Sequence, residues 1–570
     1  MTAAGGSGEA RPPEGDANRV LGVGASAARR RAPETGSDAS GGVALPVVGR
    51  VAGTTSVVTV DGSDLAATLA QRVGAGARVA AMLATARADG STTLLAVLAR
   101  SAHLDVVESH LEPGRSAYPS VARLVPPAAW YEREIHDLFG LVPEGHPRLD
   151  PLVLPQTGGA HTPRPGGPGG SGGPGSSGGC GSFAPDTAAL PADVVGEGMF
   201  TIPYGPVRSG VFETIEYLIE TFGEDIPSIR PRVHHKHRGL DGRFGELGAD
   251  EAVLLAERVE GVASVAHAMA FSQAVEHLAG VVVPRPAELL RVVHAELERV
   301  ANHLDSIVRH CEGAGQAVAY ARLSTHKERV MRLRSRLGGH RFGRGVVVPG
   351  GVTAPPRIPI AALLADVERV ERAVASDIGA LMVTPSFLDR LRKTGPVPHD
   401  VAAAHGALGP VGRGSGLVSD VRVERPYGAY RSLGFDVAVA QDGDALGRQH
   451  VRVAEISQAF HLVHQALDEL ARDELRSHGE RDPVGAGDPL RWRALLPATA
   501  TGTAVASVEA PQGELLYLVE MAAGRLVRVK PRSASFHNLV LFPGAFQGDI
   551  FTDFVFIEAS FGLSFAGVAG

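Results

Sequence analysis

The longest regular pattern in the chain begins at Pro284-Arg285-Pro286, where apolar residues start to recur at helical spacing. Leu289, Leu290, Val293, Leu297, Val300, Leu304, Ile307 and Val308 form one stripe, which predicts a long helix running through His310. Further helices are expected over Tyr320–Leu337 and Ile360–Ala380. Earlier in the chain the period changes. Val57-Val58-Thr59-Val60 and Thr92-Thr93-Leu94-Leu95-Ala96-Val97-Leu98 read as strands and Leu65 to Val73 as a helix, which together suggest a small α+β unit. Trp130 through Leu138 reads as a short amphipathic helix with its acidic residues facing out, stopped by Gly140. Gly145-His146-Pro147 then reads as an extended exit.

Two stretches have no such period. Residues 1–45 are rich in Gly, Ala, Pro and Arg and read as a disordered tail. Arg29-Arg30-Arg31 is followed by Ala32-Pro33-Glu34 rather than an apolar run, which argues against an export signal. Residues 156–197 are dominated by Gly, Pro and Ser and read as a flexible tether holding two modules at high effective concentration, with Cys180 exposed inside it. The chain thus divides into a tail (1–45), a first domain (46–155), a linker (156–197) and a second domain (198–570).

Composition narrows the function classes. At 570 residues the chain exceeds one ordinary domain, and 44% hydrophobic with 21% charged residues is typical of a globular protein. A net charge of -7 and the lack of a basic patch with interleaved aromatics argue against a nucleic-acid partner. Cys180 and Cys311 are the only cysteines, which excludes a disulfide framework and an all-cysteine iron–sulfur site, and fits a reducing cytoplasm. No apolar run approaches the ~20 residues that span a bilayer, so work at a membrane would go through partners. Neither a phosphate-binding G-x-x-x-x-G-K-S/T pattern nor a dinucleotide fingerprint after a strand is present.

Specific motifs go further. Trp130, Glu132, Arg133, Glu134, Asp137, Leu138, Phe139, Gly140, Gly145, His146 and Pro147 fit W-x-E-R-E-x-x-D-L-F-G-x-x-F-x-G-H-P, with Pro143 in place of the second Phe. This segment resembles the 30 kDa subunit of respiratory complex I and its hydrogenase relatives. The resemblance implies that Trp130, Glu132, Arg133, Glu134, Asp137 and His146 belong to an assembly surface without chemistry, His146 being structural rather than a ligand.

The second domain carries a second set. Gly205-Pro206-Val207-Arg208, His237-Arg238-Gly239, Leu290 to Leu304, Gly350-Gly351-Val352, Asp420-Val421-Arg422, Pro426-Tyr427, Tyr430, Gly443-Asp444, Arg448, Arg452, Glu455 and Val508 to Glu514 resemble the 49 kDa subunit of complex I and the large subunit of membrane-bound hydrogenases. Arg208 and Ser209 occupy the turn where complex I has a quinone-site histidine. Glu296, Arg299 and His303 are expected to be internal polar ties of a helical bundle. Fold class is therefore α+β: a small N-terminal α/β domain linked to a larger, mainly helical domain with a small β-sheet.

Glu257-Arg258-Val259-Glu260-Gly261-Val262-Ala263 through His267 resembles the nickel–iron hydrogenase loop E-R-x-C-G-x-C-x-x-x-H, with Glu260 and Ala263 at the cysteine positions. Near the end, Ser564 and Gly567 stand where the family's S-x-D-P-C-x-x-C supplies two more thiolates, and Gly562 stands at the aspartate. Thiolates suit nickel because soft sulfur binds it well; these residues do not, so no metal is expected here. Gly261 takes the place of complex I's quinone-binding tyrosine, while Glu260 matches its acidic residue. Two readings of Glu260 and His267 stand side by side: a proton-handling pair in a residual cavity, or a helix-start carboxylate and a satisfied core histidine. His237, Arg238 and Ser564 are candidates for the wall of a substrate or quinone cavity. His234, His235 and His237 lack the spacing of a metal site, and strand alternation would split them between two faces.

Fusion of both modules resembles the formate-hydrogenlyase-type (group 4) hydrogenases, and the missing cysteines bring the chain nearest to the energy-converting hydrogenase-related complexes. The resemblance implies a peripheral oxidoreductase subunit on the cytoplasmic face of the cell membrane, passing electrons from an iron–sulfur small subunit to a quinone or another acceptor. Antiporter-like membrane subunits would move ions, and no cofactor would be bound by this chain itself. The alternative is a non-catalytic structural subunit with a vestigial cavity.

Overall fold

The computed structural model describes residues 51–54, 56–87, 89–154, 198–208, 213–479, 492–497 and 499–570. The expected tail, the linker with Cys180, and Ser209 lie outside these residues.

In the first module, β1 (Val51–Ala52) is followed by β2 (Ser56–Val60), α1 (Leu65–Gly74), β3 (Arg78–Ala86), β4 (Thr92–Arg100) and β5 (His103–Leu111). The sheet order is β2-β5-β4-β3, with β2 and β5 parallel and the other pairs antiparallel. β4 is apolar on both faces for a reason. Leu94, Ala96 and Leu98 enter one core with Leu65 and Leu69 of α1, whereas Leu95, Val97 and Ala99 meet Val505, Leu516 and Leu518 of the second module. A strand buried on both sides reads as a continuous apolar run. The module closes with β6 (Ala117–Pro119), α2 (Ala129–Phe139) and β7 (Val142–Glu144), β6 and β7 pairing in parallel. α2 ends at Gly140 in the left-handed conformation (φ 70°) that glycine adopts without penalty.

The second module opens with an antiparallel sheet of β8 (Phe200–Tyr204), β9 (Glu216–Thr221) and β10 (Ser228–Arg232), then α3 (Leu240–Phe244), α4 (Ala249–Ala256) and α5 (Ser264–Ala279). The expected long helix is α6 (Arg285–Gly313); α7 (Ala317–Gly338) and α8 (Ile360–Leu381) follow, separated by the hairpin of β11 (Val347–Val348) and β12 (Gly351–Val352). Short helices α9 (Pro385–Leu391), α10 (His399–His405), α11 (Gly409–Gly414) and α12 (Val421–Glu424) lead to α13 (Ala445–Gly479), which packs along α6. β13 (Gly502–Ala510), β14 (Gly513–Ala522) and β15 (Arg525–Arg532) form a meander whose outer edge β1 joins in parallel. The described chain ends in α14 (Ala534–Leu539), α15 (Phe554–Phe561) and α16 (Phe565–Ala569).

The acidic residues of α2 do not face out. Glu132, Glu134 and Asp137 are 0%, 3% and 8% exposed. Glu132 accepts from Ser120 Oγ (2.6 Å) and the Val121 and Ala122 amides, and Asp137 accepts from the Leu152 and Val153 amides (2.7 and 2.8 Å). Glu134 pairs with Lys530 and Arg532 of β15. Arg133 donates to the Asp150 and Pro151 carbonyls, Trp130 packs edge-on against Phe536, and His146 Nε2 donates to the Ala129 carbonyl (3.1 Å). Glu132 and Asp137 thus brace the first module internally, and Glu134 joins it to the second.

Candidate functional site

The site is made where four separate segments converge. The loop between α4 and α5 supplies Glu257 and Glu260, and the first turn of α5 supplies His267. That turn is anchored from α6: Glu298 accepts from the Val265 and Ala266 amides (2.9 and 3.0 Å), satisfying donors that a helix start leaves open. β14 contributes Tyr517, the residue after β15 is Ser533, and α16 contributes Gly567.

Glu260 and His267 meet. Both are buried, and His267 Nε2 lies 3.7 Å from Glu260 Oε2. On its other side His267 Nδ1 is 2.7 Å from the Tyr517 hydroxyl. A Cβ on Gly567 would sit 1.6 Å from Glu260 Oε1 and 2.8 Å from Ser533 Oγ. Glu260 therefore fills the space in which a side chain at 567 would lie. Among the described residues, Glu260 Oε1, His267 Nε2 and Ser533 Oγ are all buried without a hydrogen-bond partner. Burial raises the Tyr517 phenol well above its ordinary range, with Glu260 adding to the rise and Arg238 opposing it.

The three residues expected to line a cavity, His237, Arg238 and Ser564, have their polar atoms engaged with the chain itself. Arg238 donates to the Arg258, Val259 and Ala566 carbonyls (3.0, 2.7 and 3.1 Å), tying the Glu260 loop to α16. Burial lowers its guanidinium pKa, against the pull of Glu213 and Glu260. His237 Nδ1 donates to the Ala569 carbonyl (2.7 Å). Ser564 Oγ donates to Glu213 (3.0 Å), which also accepts from the Ala566 amide (2.7 Å). The expected strand alternation of the histidines is not found. His234–Lys236 is a 3-10 turn, because the backbone leaves the extended region at Val233 directly after β10. His234 and His235 lie ring to ring at 4.1 Å, and burial lowers His234 to about 4, with His235 and Arg232 adding to it. Among the described residues no group of three or more His, Cys, Asp or Glu is arranged to hold a metal ion.

Glu296, Arg299 and His303 do lie inside the bundle. Arg422 bridges Glu296 (3.1 Å) and Asp420 (2.7 Å), Arg413 bridges Glu455 and Glu509 (2.8 Å each), and His303 meets Glu455 (2.8 Å). Glu296, Arg299, His303, Arg413, Asp420, Arg422, Glu455 and Glu509 thus form one buried ionic network. Cys311 is buried on α6, its thiol pushed up to about 12 by desolvation. Sequence reading missed Glu213, Tyr517 and Ser533. Tyr517 carries the one local signal, a hydroxyl within the apolar run of residues 515–519 that has to find a partner.

Comparison with known proteins identifies this two-module chain as an oxidoreductase subunit. Residues 60–165 match the family described as the 30 Kd subunit of respiratory-chain NADH dehydrogenase, and residues 314–569 match its 49 Kd subunit. The membrane-bound hydrogenase subunit alpha of Pyrococcus furiosus is 30% identical over 371 residues, 63% of this chain and 84% of that one. The carbon monoxide-induced hydrogenase of Rhodospirillum rubrum is 29% identical, covering 62% and 95%. An NADH-quinone oxidoreductase subunit of Gluconacetobacter diazotrophicus is 28% identical over 471 residues, covering 78% and 77%. The chain belongs to the family of complex I 30 kDa/49 kDa subunits and membrane-bound hydrogenase large subunits, with both parts fused. Among the described residues no helix is long and apolar enough to cross a membrane.

Proposed function

We propose that the chain is the peripheral subunit of a membrane-associated complex that passes electrons to a quinone or another small acceptor and couples this to ion translocation, without nickel. The observation that carries the proposal is the Glu260 carboxylate, which faces His267 and fills the space at Gly567. The four positions that the resemblance assigns to thiolates offer a carboxylate, a methyl group, a hydroxyl and a bare Cα, which is not a nickel donor set. Reduction of a quinone takes two electrons and two protons. Electrons would come from an iron–sulfur cluster in a partner subunit, and Glu260 and His267 would hold and deliver protons, while Arg238, His237 and Ser564 fix the wall. Antiporter-like membrane subunits would carry the ions, and attachment through them would place the chain on the cytoplasmic face.

Purification of the tagged chain from gently solubilised native membranes, with mass spectrometry of what accompanies it, tests this. An iron–sulfur subunit and antiporter-like subunits are expected. Recovery of the chain alone, outside the membrane fraction, contradicts it. One observation favours a second reading, a structural subunit with a vestigial cavity: the hydrogen bonds of Arg238, His237 and Ser564 are made to the chain itself.

A further inference from the structure

We infer that Tyr517 is a positioning residue, which holds His267 in the tautomer that carries its proton on Nε2 and so presents a donor to Glu260. The inference deepens the proposed function and rests on that reading for its consequence, although the tautomer itself does not.

Tyr517 is fully buried on β14 and its ring is held edge-on by His267 and Phe271. A buried phenol stays neutral, so its proton has to find an acceptor. Among the described residues the one polar atom within hydrogen-bonding distance is His267 Nδ1, at 2.7 Å. Were Nδ1 the donor, the phenol proton would be left buried with no acceptor among the described residues, which is costly for a desolvated hydroxyl. The phenol therefore donates to Nδ1. A neutral imidazole has one N–H, and it falls on Nε2, the nitrogen that faces Glu260 Oε2 at 3.7 Å. A donor and a carboxylate are thus aimed at each other with slightly more than hydrogen-bonding separation. Ser533 Oγ adjoins the space at Gly567 that the carboxylate fills and likewise has no partner among the described residues. Glu260 Oε1 is itself buried with no hydrogen-bond partner there. Such a carboxylate can take a proton without first breaking a hydrogen bond, and the fixed tautomer keeps the imidazole ready on the same side.

The test is long-range proton–nitrogen correlation spectroscopy on the full-length chain with nitrogen-15 histidine, the His267 ring being identified by its loss in His267→Gln. The expected spectrum shows protonated Nε2 and bare Nδ1, and Tyr517→Phe, which keeps the ring and removes the hydroxyl, replaces it with an averaged pattern. A protonated Nδ1 or an imidazolium in the unaltered chain overturns the inference, as does an unchanged Nε2–H pattern in Tyr517→Phe. The unaltered chain alone decides the first point should the variant not fold. The readout needs no turnover, so its failure is distinct from failure of the proposed function, which shows in the rates of the assembled complex.

Discussion

The carboxylate of Glu260 lies where the side chain of residue 567 would be: a Cβ on Gly567 would stand 1.6 Å from Oε1 and 2.5 Å from Cδ. A side chain at 567 and the Glu260 carboxylate in this place exclude each other. Gly567→Ala is expected to force the buried carboxylate out of its place at a cost of about 1–3 kcal/mol, the range for overpacking a filled interior. Adding Glu260→Ala should recover most of that loss. Denaturant unfolding of the two single variants and the double variant measures the coupling, and additive losses would show that the two do not share the space.

The joint between modules rests on Glu134. Burial alone would raise its carboxyl, but Arg532 and Lys530 bring it down to about 2. Because the folded value lies below the unfolded one, its stabilisation is present above about pH 4.5 and is lost as pH falls toward 2. Glu134→Ala leaves the buried Arg532 without a carboxylate and Lys530 with Asp241 alone, and is expected to cost about 3–5 kcal/mol at neutral pH. Glu134→Gln should flatten the acid limb of stability between these two values, which urea unfolding across that range reads directly.

Glu257 gives the opposite sign. Burial raises its carboxyl to about 7, against the Gly345 amide, Arg258 and Arg344. Its folded value lies above its unfolded one, so the stabilisation is complete below about pH 4.5 and is lost as pH rises through 7. Glu257→Gln keeps an acceptor for the Gly345 amide, which lies 2.6 Å away. The variant is expected to gain relative to the unaltered chain between pH 5 and 8, as followed by thermal unfolding at a series of pH values. Equal slopes would contradict this.

Arg422 joins α12 to the interior of the bundle through Glu296 and Asp420. Arg422→Ala leaves two buried carboxylates without their bridging guanidinium and is expected to cost about 3–5 kcal/mol. Arg422→Lys should recover only part of it, because a point charge cannot reproduce the forked geometry. Chemical denaturation of both variants checks the order.

Helical periodicity made the bundle legible. α6, α7 and α8 fall within a few residues of their expected bounds because each presents one continuous apolar stripe to a single core. Charge was the poorer guide. Glu132, Glu134 and Asp137 read as an outward face, since nothing local shows that Lys530 and Arg532, about 400 residues away, would be partners of Glu134. β5 carries a mixed pattern that does not announce a strand, and it pairs in parallel with β2 across an intervening helix and two strands. At the site, the resemblance to the hydrogenase loop singled out Glu260 and His267, and the two meet because the loop leads straight into the first turn of α5. Tyr517, Ser533 and Glu213 come from strands and loops about 50 to 270 residues away, and only tertiary packing brings them in.

The central claim is that Glu260 handles protons for electron transfer. Its most direct test is the rate at which a short-chain quinone reoxidises the dithionite-reduced, membrane-assembled complex, for the unaltered chain and for Glu260→Gln, which keeps size and packing but cannot take up a proton in the same way. The account predicts at least a tenfold slower reoxidation in the variant, with assembly unchanged. Equal rates in fully assembled complexes would contradict it, and would leave the site a structural remnant.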